Sequence, residues 1–332
     1  MKRYKVYGIG NALVDTEIRV DDAQLASLAV EKGLMTLVDR DRRSELLEAL
    51  EGHLPKAHHA SGGSAGNSLI ATALFGGRCY LSCRVADDAD GEIYLKDLEK
   101  AGVSYPLPAD TDDPTGKCLV LVTPDAERSM NTYLGASEGL SIAQLDERAI
   151  AESEYLYIEG FLVSSATGLP AAVRAREIAD EAGVPVAVSF SDPGIVAHFP
   201  DQFRQIVGDG VDLVFANEAE AISWTGTDTL DAALDALPGT ARRYAVTLGG
   251  EGAICFDGNE RHRIAPHRVD AVDSNGAGDM FAGAFLYAIT HGHNFATAGA
   301  FASLAAGTVV SQWGPRLERD QYGKLRDQFF DV

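Results

Sequence analysis

Short runs of continuous apolar residues alternate with longer runs of helical periodicity along most of the chain. KVYGIG (5–10), YLYI (155–158), VPVAVSF (184–190), VDLVFA (211–216) and YAVTL (244–248) have the unbroken hydrophobicity of strands covered on both faces, which predicts a mostly parallel sheet. Between them, AGNSLIATALFGG, GEIYLKDLEKAGV, GLPAAVRAREIADEAGV and TLDAALDAL place apolar residues at helical spacing. Several of these runs stop at glycine, a frequent helix terminator. Helices on both faces of a parallel sheet follow from that alternation. FATAGAFASLAAGTVV (295–310) is too short to span a bilayer and is dotted with Gly, Ser and Thr, so a closely packed interior helix is expected there.

Two stretches break the alternation, about 11–37 and about 103–137. GKCLVLVTPDAERSMNTYLGA reads as two strands around a PDAE turn, and ALVDTEIRV reads as another strand. Their pairing predicts a small antiparallel sheet beside the main one, placed as a lid. Neither a repeat nor a linker interrupts the chain, which favours one α/β domain over residues 1–332 rather than two units.

With 332 residues, 46% apolar and 23% charged, the chain has the material for a large core without staples. Its net charge of −21 would repel a phosphate backbone at long range, so a nucleic-acid partner is not expected. An anionic small ligand would need local positive potential from backbone N–H groups and a few placed cations. Cys79, Cys83, Cys118 and Cys255 have neither metal-ligand spacing nor disulfide-scaffold density, and reduced core thiols in a cytoplasmic protein are the expectation. The opening residues MKRYKVYGIGNALVD lack a sustained apolar core and read as a first strand, not a signal peptide. No membrane partner is expected.

The segment DSNGAGDMFAGAF (273–285) carries the candidate chemistry. A Gly-Ala-Gly turn that opens a helix aims several backbone N–H groups at one place, where the helix dipole adds partial positive charge. A dinucleotide fingerprint is excluded because Phe281 stands at the third glycine and no acidic residue lies between Asp279 and Glu318. A P-loop is excluded because neither this loop nor GGSAGNS (62–68) has the lysine. Two readings remain: a purely structural strand-to-helix turn started by Asp279, or a kinase acting on a small-molecule hydroxyl. In the second, the amides of Gly276, Ala277 and Gly278 offset charge on the phosphoryl group and Asp279 takes the proton of the alcohol. The dipole would keep Asp279 ionised.

DSNGAGDMFAGAF resembles the C-terminal signature of the ribokinase-like (PfkB) family of carbohydrate and nucleoside kinases. In the same order as that family, GGSAGNSLIATALFGG (62–77) resembles its N-terminal Gly-Gly signature, NEAE (217–220) its Asn-x-x-Glu motif and VTLGGEGAICFDG (246–258) its nucleotide-binding strand and turn. The resemblance spans nearly the whole chain. It implies a three-layer α/β/α sandwich with a β lid, with ATP and Mg²⁺ as cofactors and K⁺ as a further candidate. Carried over, Asp279 is the base and Gly276, Ala277 and Gly278 are the anion hole, while Arg128 reaches phosphate from the lid. Asn217 and Glu220 would meet Mg²⁺–ATP through water, and Thr247, Gly249 and Gly250 would border the nucleotide. Asp15 would bind sugar hydroxyls, with Asn11, Gly62, Gly63 and Asn67 in the same pocket.

Each assignment has a plain structural counterpart. Asn217 and Glu220 have the spacing of a capping box, Arg128 could be a solvated turn residue, and Asp273, a candidate ligand for a monovalent cation, could cap its own turn. For the acceptor, GNALVD, PTGKCLVLV, ERSMNTYLGAS and YIEGFLVSSA look most like the adenosine kinase members of the family. Phe161 is the candidate base-stacking residue, with Leu37, Leu134 and Leu162 as neighbours. GFL offers one aromatic where nucleoside kinases often offer two, and Gly194 stands where another would clamp a purine. A sugar kinase of the same family is the second expectation, and a nucleotide-binding protein without transfer activity is the third. Either a monomer or a homodimer is compatible with the chain.

Overall fold

The computed structural model describes residues 2–54 and 58–331. Its strands, in chain order, are β1 (Tyr4–Ile9), β2 (Leu13–Arg19), β3 (Met35–Leu37), β4 (His58–Gly62), β5 (Cys79–Ser82), β6 (Val103–Ser104) and β7 (Gly116–Val122). They continue with β8 (Arg128–Tyr133), β9 (Ser153–Glu159), β10 (Val186–Ser189), β11 (Val211–Asn217), β12 (Ala241–Thr247), β13 (Ala253–Phe256) and β14 (Arg261–Ile264). Nine of these form one sheet in the order β14-β13-β12-β11-β10-β9-β1-β5-β6. Pairing is parallel from β6 to β12 and antiparallel only at the β12–β13–β14 end.

Alternation along the strands sends side chains to two cores. Val6, Tyr155, Tyr157, Leu213, Phe215 and Ala245 pack against the helices Ser64–Leu74, Ala89–Ala101, Ala277–Thr290, Phe295–Val310 and Arg319–Phe330. Tyr7, Leu156, Ile158, Val188, Val214 and Tyr244 pack on the other face, against the helices Gly168–Glu181, Pro200–Val207 and Leu230–Ala236. The result is a three-layer α/β/α sandwich of the ribokinase-like kind. The run at 295–310 is the interior helix that its small residues predict.

A second sheet, β3-β8-β7-β2-β4, forms the lid. It departs from expectation in three ways. It is mixed rather than antiparallel, because β2 pairs parallel with β7 and β3 parallel with β8. Its edge β4 comes from outside the two stretches named above, and β6, inside one of them, joins the main sheet. Strand direction is set by the path of the connecting chain, which the local pattern does not record. The outer face of the lid is apolar: Ile18, Leu119 and Leu121 pack against Leu25, Leu46 and Leu50 of two short helices. The inner face turns Leu13, Asp15, Glu17, Cys118 and Val120 toward the carboxyl ends of the main-sheet strands.

The helices Ser64–Leu74 and Ala277–Thr290 cross closely because Gly283 lies where a β-carbon would overlap the Ser68 carbonyl oxygen. Thr72 Oγ1 donates to the carbonyls of both Ser68 and Gly283, at 2.9 Å each, and locks the crossing. Gly283→Ala gains roughly 0.5–1 kcal/mol of helix propensity but overpacks the contact at a cost of about 1–3 kcal/mol. The steric term wins, so thermal denaturation should show a lowered Tm; an unchanged or raised Tm would contradict the close-crossing account.

Candidate active site

The carboxyl ends of β1, β9, β10, β11 and β12 open on a cleft of about 390 Å³ under the lid. That edge is where ligands of open parallel sheets bind, since the loops there converge without strands in the way. Toward β1 the cleft holds Asn11, Asp15, Gly63, Asn67, Phe161, Leu37 and Leu134, and toward β11 and β12, its other end, Asn217, Glu220, Thr247 and Gly249; the loop 274–279 meets the first group where Asp279 bonds to Asn67. Arg128, at the start of β8, reaches the cleft from the lid. Most of the predicted site residues therefore converge.

Four predicted positions lie outside the cleft wall. Leu162 is fully buried in the main core, because its short 3-10 helix turns it away while Phe161 faces the cleft. Gly62 stands behind Asp15, where a β-carbon would overlap the carboxylate, and Gly250 lies past the wall formed by Gly249. Asp273 is fully buried and acts as a turn cap: its Oδ1 accepts from Asn275 N at 2.9 Å and its Oδ2 from Gly314 N at 3.0 Å.

Gly276 caps the helix Ala277–Thr290 with φ of 72°, in the left-handed region, and a β-carbon there would overlap Pro315. The next two residues leave their N–H groups in the first helical turn, and Gly278 is exposed to the cleft. Asp279 follows in the same turn. Its Oδ1 accepts from Ser64 Oγ at 2.6 Å and its Oδ2 from Asn67 Nδ2 at 2.9 Å. Desolvation at the cleft floor pushes the Asp279 carboxyl up from its ordinary value, opposed by the bonds from Ser64 and Asn67 and by the charge of Arg128. Burial thus works against the Asp279 charge, and two side chains with one arginine work for it beside the helix start.

Two amides present acceptors to the cleft. Asn67 gives its Nδ2 to Asp279, and its buried Oδ1 has no partner; Asn11 gives its Nδ2 to Glu159 Oε1 at 3.1 Å, and its buried Oδ1 likewise has none. Oxygens so placed suit ligand hydroxyl or amino donors. Asp15, 5% exposed, lines the same end, and its carboxyl is raised well above the usual range by burial, with Glu17 adding to the shift.

At the other end, Asn217 and Glu220 form a full capping box: Glu220 N donates to Asn217 Oδ1, while Asn217 N and Nδ2 donate to the two Glu220 oxygens at 2.9 and 2.8 Å. The capping geometry expected as the plain alternative is present. Burial raises the Glu220 carboxyl to about 7, with Arg128 opposing. Arg128 Nε is buried without a partner, so this side chain is a cleft cation rather than a solvated turn residue.

Glu159 and Ser64 were not singled out from sequence. Glu159, 1% exposed at the end of β9, orients Asn11 and accepts from Ala65 N at 2.8 Å, joining β1 to the helix that carries Ser64 and Asn67. Both stand inside segments already quoted, but only their contacts reveal the roles. The four cysteines are free and buried, and no described helix is long and apolar enough to cross a membrane.

Known proteins share this architecture. The chain is 38% identical to adenosine kinase from Sinorhizobium meliloti, covering 98% of this chain and 99% of that one with a TM-score of 0.93. It is 35% identical to a probable sugar kinase protein from Rhizobium etli over the full length of both chains, with a TM-score of 0.94. Adenosine kinase of Saccharomyces cerevisiae is 28% identical over 95% of this chain and 98% of its own. Fold and likeness together define a phosphotransferase whose acceptor is an alcohol. The chain belongs to the pfkB family of carbohydrate kinases, which it matches over residues 30–320.

Burial holds Glu159 at about 7 against an ordinary 4.5, so the native state binds its proton more tightly than the unfolded chain. Its contribution to stability is present at low pH and is lost as pH rises from 4.5 to about 7, up to about 3 kcal/mol at 1.36 kcal/mol per unit. Glu159→Gln removes the titration, and the difference in Tm, variant minus wild type, should therefore rise across that window. A flat difference would remove Glu159 as a buried titrating group.

Proposed function

We propose that this kinase transfers the γ-phosphate of ATP to the 5′-hydroxyl of adenosine, giving AMP. The observation that carries the reading is Asp279 at a helix N-terminus, held by Ser64 and Asn67 inside a cleft whose wall also carries the apolar Phe161, Leu37 and Leu134. A nucleotide-binding module gains nothing from a carboxylate beside the phosphate site, whereas an alcohol acceptor needs a base there.

In this reading Asp15 and the free Asn11 and Asn67 oxygens receive the ribose hydroxyls, and Phe161 with Leu37 and Leu134 packs on the base. Asp279 takes the hydroxyl proton as the oxygen attacks in line. The amides at Gly276, Ala277 and Gly278 and the Arg128 guanidinium stabilise charge on the transferring group. Thr247 and Gly249 border the nucleotide. Mg²⁺, when bound, offsets phosphate charge; because Glu220 already accepts two bonds from Asn217, that carboxylate fits a contact through water better than direct ligation. Asp273 likewise spends its oxygens on the backbone N–H groups of Asn275 and Gly314. The lid excludes water, against which hydrolysis would otherwise compete.

A sugar acceptor is the second reading, favoured by the likeness to the probable sugar kinase of Rhizobium etli. ADP formation with Mg²⁺–ATP and adenosine, inosine, ribose or fructose separates the two: turnover with adenosine and not ribose is expected, and turnover with a free sugar alone would overturn the adenosine assignment.

Asp279→Ala should lower kcat by about 10²–10⁴-fold, roughly 3–5 kcal/mol, with ATP-analogue affinity by calorimetry little changed. Near-wild-type turnover would remove Asp279 as the base.

A further inference from the structure

Asp15, Glu17 and Arg19 alternate along β2 and share its inner face. Asp15 lines the acceptor end of the cleft. Glu17, fully buried, accepts at Oε1 from Asn275 Nδ2 at 2.6 Å. The Arg19 guanidinium lies 4.4 Å from the centroid of the Trp313 ring. One strand of the lid thus touches the acceptor site, the loop before the anion hole and the C-terminal segment beside it.

Asn275 immediately precedes Gly276, and its own N–H is held by Asp273, which also holds Gly314 N. A second tie joins the lid to this loop, from Ser274 Oγ to the Ala126 carbonyl in the β7–β8 turn at 2.8 Å. The loop is therefore held by the core on one side and by two lid contacts on the other. Burying a glutamate merely to fill space is unfavourable when an apolar side chain would serve; here its Oε1 gives the Asn275 amide an acceptor, while burial raises the carboxyl to about 7 against that bond. Asp273 adds negative charge near Glu17 and Arg316 offsets it.

We propose that Glu17 is a positioning residue that couples the lid to the anion hole, so that an acceptor seated against Asp15 sets the Gly276–Gly278 amides for transfer. Two residues on one face of a paired strand move together, and the Glu17–Asn275 bond carries that movement to the loop. This rests on the phosphotransferase reading, with Asp15 at the acceptor.

The test compares Glu17→Ala, Glu17→Gln, Asn275→Ala and the Glu17→Ala/Asn275→Ala double variant with wild type, using adenosine and Mg²⁺–ATP. Glu17→Ala should lower kcat about 10- to 100-fold, as small misplacement of catalytic groups does, while KM for adenosine and affinity for a non-hydrolysable ATP analogue stay within about threefold. Glu17→Gln, which retains an acceptor for the Asn275 amide, should restore most of kcat. The double variant should be no worse than the poorer single one, because both remove the same bond. Additive losses, or a folded Glu17→Ala enzyme with wild-type kcat, would overturn the proposal. Should Glu17→Ala fail to melt cooperatively, Asn275→Ala and Glu17→Gln decide alone. Hydrogen exchange provides a readout independent of turnover: amides of 274–279 should exchange faster in Glu17→Ala or, if that chain does not fold, in Asn275→Ala, with β1 and β9 unchanged, and unchanged loop exchange would overturn the coupling. A wild-type chain inactive on adenosine but with this exchange response would fault the acceptor assignment and leave the lid–loop link intact.

Discussion

Where the helices Ser64–Leu74 and Ala277–Thr290 cross, Gly283 rests against the Ser68 carbonyl and Thr72 bonds to both backbones. That contact brings Ser64 and Asn67 within hydrogen-bond distance of Asp279. A carboxylate at the cleft floor is penalised by desolvation, and two donors from a facing helix are what make its charged form tolerable there. Had the helices stood further apart, Asp279 would be an ordinary first-turn acid with only the dipole beside it. The crossing joins the helix that carries Asn67 to the loop that opens with Gly276.

Electrostatics explain why the site leans on backbone. The chain has a net charge of −21, and its cleft is lined by Asp15, Glu159, Asp192, Glu220 and Asp279. Among the described residues of that wall, Arg128 is the one cationic side chain. An incoming polyphosphate meets an unfavourable global field, so fixed N–H dipoles at the helix start and one well-placed guanidinium must supply the local attraction. The buried carboxyls answer the same difficulty differently. Glu159 and Glu220 are raised to about 7, spending their oxygens on Asn11, Ala65 and Asn217 rather than on repelling phosphate at full charge.

The lid is more than a cover because its two faces differ. Outside, Ile18, Leu119 and Leu121 are sealed by two short helices. Inside, β2 presents Asp15 to the cleft and Glu17 to the loop before Gly276. A cover built this way suits a reaction that must exclude water.

The parallel sheet, its covering helices, the interior helix at 295–310 and the glycine turn before Asp279 were legible in the sequence, because each is set by local periodicity or by a steric need that glycine alone meets. Many of the cleft residues were legible too, through motifs whose order along the chain matches a kinase family. What the chain does not state locally is direction and contact. The parallel pairing of β2 with β7 depends on where connecting segments run; Leu162 and Phe161, adjacent in sequence, part company because a 3-10 turn sends one to the core and the other to the cleft. Ser64, Glu159 and the Glu17–Asn275 pair, 258 residues apart, acquire their roles only when distant elements meet. Periodicity and turn chemistry act over a few residues and survive in the sequence, whereas hydrogen bonds between elements exist only after packing has chosen their neighbours.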